Sequence, residues 1–458
     1  MLDLVRTLKL EQRSVVRRRG REDSSPGVNR PTLIIGAMLI AAFGPYIAGS
    51  IRTEQAVVYG IMVLSAPLLM SRFNPAGGLR FFVPWCLLIV VATLAVVFPF
   101  KSMPYPPGGL LAGYDNLLSP LAIMLIIWSL VPTEKAMSLL VLACKIVAIA
   151  MATNGLISII ATIVDLSGFL RLFWGSSSTV ETVAERATTM GRSTGIFNQP
   201  VEAGALYGLA GIAAVFAWKD RPKVLALIIP LVVAGGLFSV SKIFIIGGLP
   251  VIVFYWFFNA FKTRRIAPFA GAIIITILLL KSRILAEWSG FSYLQRLFIT
   301  DGQDLLGLYS AGRFDEGSTF FEVIRAVLAV SPLAGVGATG WQIPYDGAIA
   351  EFLVIGGVLG LGLACCVYVG LLTLANSPVV EPHLRIFVLM LFILTAGSSL
   401  GFSPLSANRV STISWILIAL IVLCIREYFM SSSSSTGSRV GGNTRLRMGT
   451  GPVPNLGR

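Results

Sequence analysis

Residues 347–374 read GAIAEFLVIGGVLGLGLACCVYVGLLTL, with Glu351 the single charged side chain in the run. As a helix rising 1.5 Å per residue, the stretch is about 40 Å long, enough to cross a hydrocarbon core of about 30 Å. A bilayer interior offers the backbone no hydrogen-bond partners, so a run this apolar must close its own bonds as a helix or in a barrel. Barrel strands would be about ten residues long and alternating. These runs are longer and apolar on every side, so they predict a helical membrane protein.

Working outward, similar runs fall near 32–49, 54–70, 81–99, 116–131, 136–165, 201–218, 223–238, 240–259, 266–281, 384–400 and 408–427, making about a dozen transmembrane helices with 347–374. Only Ser239 separates 223–238 from 240–259. The composition agrees: 55% of the 458 residues are hydrophobic and 13% charged, against roughly 25% charged in soluble domains. The expected organisation is a basic cytoplasmic arm over 1–30, one transmembrane domain over 31–428 and a Ser/Gly-rich cytoplasmic tail over 429–458. Two long outer loops fall near 166–200 and 282–346, and loops of this length are uncommon unless functional. In the second, Phe320, Ile324, Val327 and Leu328 recur at helical spacing, predicting an amphipathic surface helix over 315–330.

The formal charge of +14 would suggest nucleic acid in a soluble protein, but here it follows the positive-inside rule, and no nucleic-acid partner is expected. An even number of spans puts both termini in the cytoplasm. About two-thirds of the 36 Lys and Arg then fall on the cytoplasmic side, and the short loops 218–223 and 261–265 carry most of the orienting signal. Five cysteines lie in or beside apolar runs without a C-x-x-C pair, and the lone His383 cannot anchor a histidine-rich metal site. No metal is expected.

The outer half is more basic than orientation requires. Arg192, Lys242, Arg313, Arg325 and Arg409 sit at loop–helix junctions, where single residues read equally well as lipid-headgroup contacts. As a set they suit a phosphate or diphosphate, whose oxygens match guanidinium forks. Glu202, Asp346 and Glu351 lie at outer ends of predicted spans, where an ionisable group is expensive and suggests function. Gly335-Val336-Gly337-Ala338-Thr339-Gly340 fits G-x-G-x-x-G but has no βαβ context. Its glycines are expected to form a tight turn into the next span.

Several segments resemble the O-antigen ligase/polymerase superfamily. Gly191-Arg192-Ser193-Thr194-Gly195-Ile196-Phe197-Asn198-Gln199-Pro200 resembles its R-x-T/S-G-x-F-x-N-P segment, and Ser239-Val240-Ser241-Lys242 its Ser-Arg motif with Lys in place of Arg. Gly312-Arg313 with Ser331-Pro332-Leu333-Ala334-Gly335-Val336-Gly337 resembles its G-R … P-L-x-G-x-G segment. Asp346-Gly347, Glu351-Phe352-Leu353 and Gly357–Leu361 resemble its late helix start. The resemblance covers about 190–362.

It implies a GT-C-like architecture in a bacterial inner membrane, with the active side periplasmic, working on undecaprenyl-diphosphate-linked oligosaccharides among membrane lipids. A chain-length regulator or export machinery would be further partners. Ligases resembling this pattern carry a histidine where this chain has Asp346, which favours a glycosyltransferase of the polymerase branch building an O-antigen or exopolysaccharide. A glycan ligase and a twelve-helix secondary transporter are the alternatives. In the polymerase reading, Arg192, Lys242 and Arg313, then Arg325 and Arg409, cradle the departing diphosphate without cofactor or metal. Asp346 is the first choice of base for the acceptor hydroxyl, with Glu351 and Glu202 behind it.

Overall fold

The computed structural model describes residues 30–48, 51–75, 77–98, 104–175, 182–260, 290, 315, 317–343, 345, 347–377 and 380–440. Of the expected features, the span 266–281, most of the loop 282–346, Arg313 and Asp346 lie outside the described residues.

The described residues form a helical membrane domain. In chain order its helices are α1 (Arg30–Ala42), α2 (Thr53–Leu64), α3 (Ala66–Arg72), α4 (Leu79–Val97), α5 (Leu110–Leu130), α6 (Ala136–Ile160), α7 (Ser167–Trp174) and α8 (Val183–Thr189). There follow α9 (Pro200–Ala217), α10 (Pro222–Phe238), α11 (Leu249–Ala260), α12 (Thr319–Val330), α13 (Ala348–Ala375), α14 (Pro382–Ser398) and α15 (Asn408–Val440). Among the described residues six segments are long and apolar enough to cross a membrane: Leu79–Val97, Leu110–Leu130, Thr133–Ile160, Pro200–Ala217, Ala348–Ala375 and Arg409–Tyr428. The bent pair α2–α3, angled by 67°, makes a seventh if counted as one span. Arg30–Ala42, Pro222–Phe238, Ile243–Trp256 and Pro382–Ser398 are apolar but shorter.

Local chemistry explains the interruptions. The expected span 32–49 ends at Ala42, where Gly44-Pro45 leads into a small hairpin of β1 (Tyr46–Ala48) and β2 (Ile51–Arg52). Pro67 lies in the first turn of α3; proline cannot continue the hydrogen-bond ladder of the preceding helix, so the chain breaks at Ser65. The stretch 223–259 is two helices, as expected, turned at Ser239–Ser241 and resumed through a π-helical segment, Ile243–Gly248. The loop near 166–200 contains α7 and α8, the latter started by a capping box between Thr182 and Glu185. The last helix runs on to Val440.

Helices α9 and α15 form the centre, each with 89% of its apolar window buried. Helices α6, α10 and α14 surround α9, and α5 and α6 flank α15. Helix α4 lies on α13 with only 28% of its window buried, and Leu87, Val90 and Leu94 stand on its open face. Such a face is covered by lipid in a membrane-spanning helix. The starts of α2, α5, α9, α13 and α15 meet at one end of the bundle, through contacts described below. The loop 218–221 and the start of α14 meet at the other, where Lys219 pairs with Glu381 at 3.7 Å.

Helix α13 is broken inside its span. Gly357 has φ 61° and ψ −155°, a conformation open essentially to glycine alone. The segment after α12 supplies the missing bonds: Val358 and Leu359 N–H donate to the carbonyls of Pro332 and Leu333, and Val336 N–H donates to Val354 O. A break at membrane depth is tolerated when protein satisfies the freed groups. Here Gly335, Gly337 and Gly340 all have positive φ, and a Cβ on Gly335 would meet the α13 backbone at 2.5 Å. The expected turn is therefore also a wedge held against α4 and α13. Helix α12 starts at Thr319 with Ser318 as cap, and buries Phe320, Val323 and Val327. Its inward stripe packs on α13 and includes the expected Phe320, Ile324 and Val327, with Val323 in place of Leu328, which is exposed.

Candidate functional site

The stretch 191–200 turns back into the end of the bundle where α2, α5, α9, α13 and α15 start. Asn154, buried in α6, receives Ile196 N–H at 2.8 Å and donates to Thr194 O at 3.3 Å and Tyr207 Oη at 2.7 Å. A Cβ on the intervening Gly195 would come within 2.0 Å of the Asn154 side chain. Glycine is required there by close approach as well as by its φ of +61°. Trp174 at the end of α7 donates to Gly195 O at 2.9 Å.

Arg192 reaches the turn after α10. Its Nε and Nη2 donate to the carbonyls of Ser239 (3.3 Å) and Val240 (3.1 Å), and Ser193 N–H donates to Phe238 O. Val240 is the one non-glycine residue with positive φ among those described, at 45°, a strained conformation for a β-branched side chain. The next residues are Ser241 and Lys242, at the start of the π-helical segment. Ser241 touches α9, where a Cβ on Gly204 would stand 2.2 Å from Ser241 Oγ. The two segments of the chain singled out over 191–200 and 239–242 thus form one unit, with Arg192 and Lys242 both half-buried.

Beneath that unit lies a buried ionic network. Arg409, 2% exposed, donates to the carbonyls of Ile196 (2.9 Å), Gly44 (3.0 Å) and Phe173 (3.2 Å). Its guanidinium stands over the rings of Tyr46 and Phe197 at 5.9 and 5.6 Å. Glu202, in the first turn of α9 and 5% exposed, lies against the backbone N–H of Arg409, where a carboxylate favours the start of a helix. Glu202 Oε1 is buried with no hydrogen-bond partner among the described residues. Arg52 pairs with Glu54 at 3.0 Å and with Asp115 at 3.1 Å. Asp115 also accepts from Tyr59 Oη at 2.8 Å and from the Gln55 amide. Burial pushes the Tyr46 phenol above its ordinary value, against the opposing pull of Arg52 and Arg409.

Glu351 stands apart from these contacts. Half-buried in the first turn of α13, it accepts from Ser406 Oγ at 2.6 Å. The N–H of Ala348 donates to Ser399 O at 2.9 Å. The segment 399–407 is therefore held by Ala348 at its start and by Glu351 at Ser406, close to the end that leads into the Glu202–Arg409 contact.

The structure brings Arg192 beside the Lys242 turn, and Glu202 beside Arg409. It attaches Glu351 to the same connector and leaves Arg325 exposed on α12. Four residues of these contacts escaped sequence reading: Arg52, Glu54 and Asp115 in the network, and Asn154 under the 191–200 turn. Glu54 and Asp115 are, like Glu202, ionisable groups near the start of an apolar helix, and Asn154 is a polar residue within one. No family model matches the chain, and no curated protein matches its sequence.

Proposed function

We propose that the chain is a glycan polymerase that joins undecaprenyl-diphosphate-linked repeat units on the outer, periplasmic side of a bacterial inner membrane. The observation that carries the reading is the union of Arg192 with the Ser239–Lys242 turn, directly over the helix start that holds Glu202. These are two of the segments whose resemblance to the O-antigen ligase/polymerase superfamily suggested the activity, and they lie far apart in sequence. Together they present two half-open cations at the membrane's edge, where a lipid diphosphate has its charge.

In this reading a carboxylate takes the proton from the acceptor sugar's hydroxyl, whose oxygen attacks the donor's anomeric carbon. The bond from that carbon to the diphosphate breaks, and undecaprenyl diphosphate leaves with the electron pair. Arg192 and Lys242, joined by Arg313, stabilise the departing charge in a water-poor setting. Asp346 remains the first choice of base, with Glu351 next. Arg409 is a positioning residue, because its donors already serve three protein carbonyls, and Arg325 is peripheral.

The experiment is to analyse lipid-linked glycans in a deletion strain and to extend purified lipid-linked repeats with the purified protein. Accumulated single repeats in the strain, together with chain growth in vitro, support polymerisation. Full-length chains left unattached would replace it with a ligase reading.

The buried network favours one other reading, a proton-coupled secondary transporter, because clustered ionisable groups inside a membrane domain mark proton pathways. Proton-driven solute uptake by proteoliposomes, with no change in glycan length in the deletion strain, would select it.

A further inference from the structure

At the end of the bundle opposite the Arg192 unit, a cavity of about 320 Å³ opens between α6, the loop after α9 and the start of α14. Its apolar wall includes Val141, Phe216, Trp218 and Leu384, and its basic groups are Lys145, Lys219 and Arg221. Against them stand Asp220 and Glu381. Glu381 is engaged twice, by Lys219 at 3.7 Å and by Tyr428 Oη at 3.2 Å. His383 is held by Phe216 O at 3.3 Å and stacks on the Phe216 ring, with centroids 4.9 Å apart.

Of the two basic groups that make no ion pair among the described residues, Arg221 is exposed and Lys145 is set back from the loop. It lies roughly two and a half turns into α6, about 14 Å along the helix axis, and is half-buried. Among the described residues it makes no ion pair. An ammonium at that depth needs an anion or water, and long cationic side chains extend toward the headgroup layer to find one. A cavity that sets two basic groups without ion pairs beside an apolar wall matches a phosphate joined to hydrocarbon.

We propose that this cavity binds the phosphate headgroup of an anionic phospholipid from the leaflet on the side of the 218–221 loop. Lys145 and Arg221 meet the phosphate, and the acyl chains lie along Val141 and Leu384. The binding couples α6, α9 and α14 at the end of the bundle that the buried ionic network does not reach.

The test uses the full chain in nanodiscs of phosphatidylcholine, titrated with phosphatidylglycerol of the same acyl chains and read by native mass spectrometry. Retained phosphatidylglycerol should exceed added phosphatidylcholine, and Lys145→Gln should weaken it about fivefold or more, since one basic residue at a membrane surface contributes on the order of a factor of five. Lys145→Arg should restore retention, whereas Lys223→Gln, just outside the cavity, should leave it unchanged. Inorganic phosphate at millimolar concentration should not displace the lipid. Equal retention by wild type and Lys145→Gln overturns the site. Displacement by phosphate, or phosphate binding without phosphatidylglycerol binding, overturns the lipid assignment in favour of a soluble phosphate compound.

Discussion

Removing the Arg409 side chain would leave the carbonyls of Ile196, Gly44 and Phe173 without their donor. Each buried orphan costs about 1–3 kcal/mol, so Arg409→Ala should abolish a monodisperse peak in fluorescence-detected size exclusion. Lys cannot serve three carbonyls in that planar arrangement, and Arg409→Lys should rescue little. Arg192 is half-open, so Arg192→Ala should reach the membrane at near-normal abundance and fail to make long polymer. Normal abundance of Arg409→Ala with activity alone lost would reverse the division between positioning and binding residues. Glu202 poses a different question, because a carboxylate beside a helix start acts as a cap or as a base. Glutamine keeps an acceptor oxygen but cannot take a proton at neutral pH. As a cap-like group, Glu202→Gln should retain polymerisation within about threefold of wild type, and as a general base it should lose about 10²–10⁴-fold.

At the scale of elements, the broken α13 and the wedge after α12 depend on each other. Gly357→Ala would place a Cβ 2.4 Å from the backbone of Leu333, in a conformation that costs roughly 1–3 kcal/mol even where there is space. The same exchange at Gly362, further along the same helix, meets nothing within 4 Å and should gain up to about 1 kcal/mol from helix propensity. Thermal denaturation in detergent should therefore move in opposite directions for the two variants. A neutral Gly357→Ala would mean that the wedge does not constrain the break. Gly335, Gly337 and Gly340 could be read from the chain as turn-formers, since glycine is the residue that tolerates positive φ. Their docking partner could not, because nothing in the apolar run 347–374 marks Gly357, among its several glycines, as the break.

For the whole molecule, alternation of the helices separates two ends: the Arg192 unit with the ionic network, and the 218–221 loop with the Lys145 cavity. Thr189 and Lys223 are exposed near these respective ends. In a background lacking the five native cysteines, Thr189→Cys should react with an impermeant thiol reagent in intact cells with a permeabilised outer membrane. Lys223→Cys should react only after lysis. The reverse pattern would turn the orientation over and remove the Arg192 unit from the periplasm.

The sequence by itself determined the helical membrane class and most helix positions, because the length and apolarity of a run decide locally whether a segment can satisfy its backbone in lipid. It also pointed to Arg192, Lys242, Glu202, Glu351 and Arg409 as charges in costly positions. Only the tertiary structure decided which of them belong together. Arg409 meets Gly44 across 365 residues of chain and Ile196 across 213, and Arg52 meets Asp115 across 63. A buried charge takes whichever partner the packing of distant helix ends supplies, and hydropathy, which records only the cost of burial, contains no information about that choice.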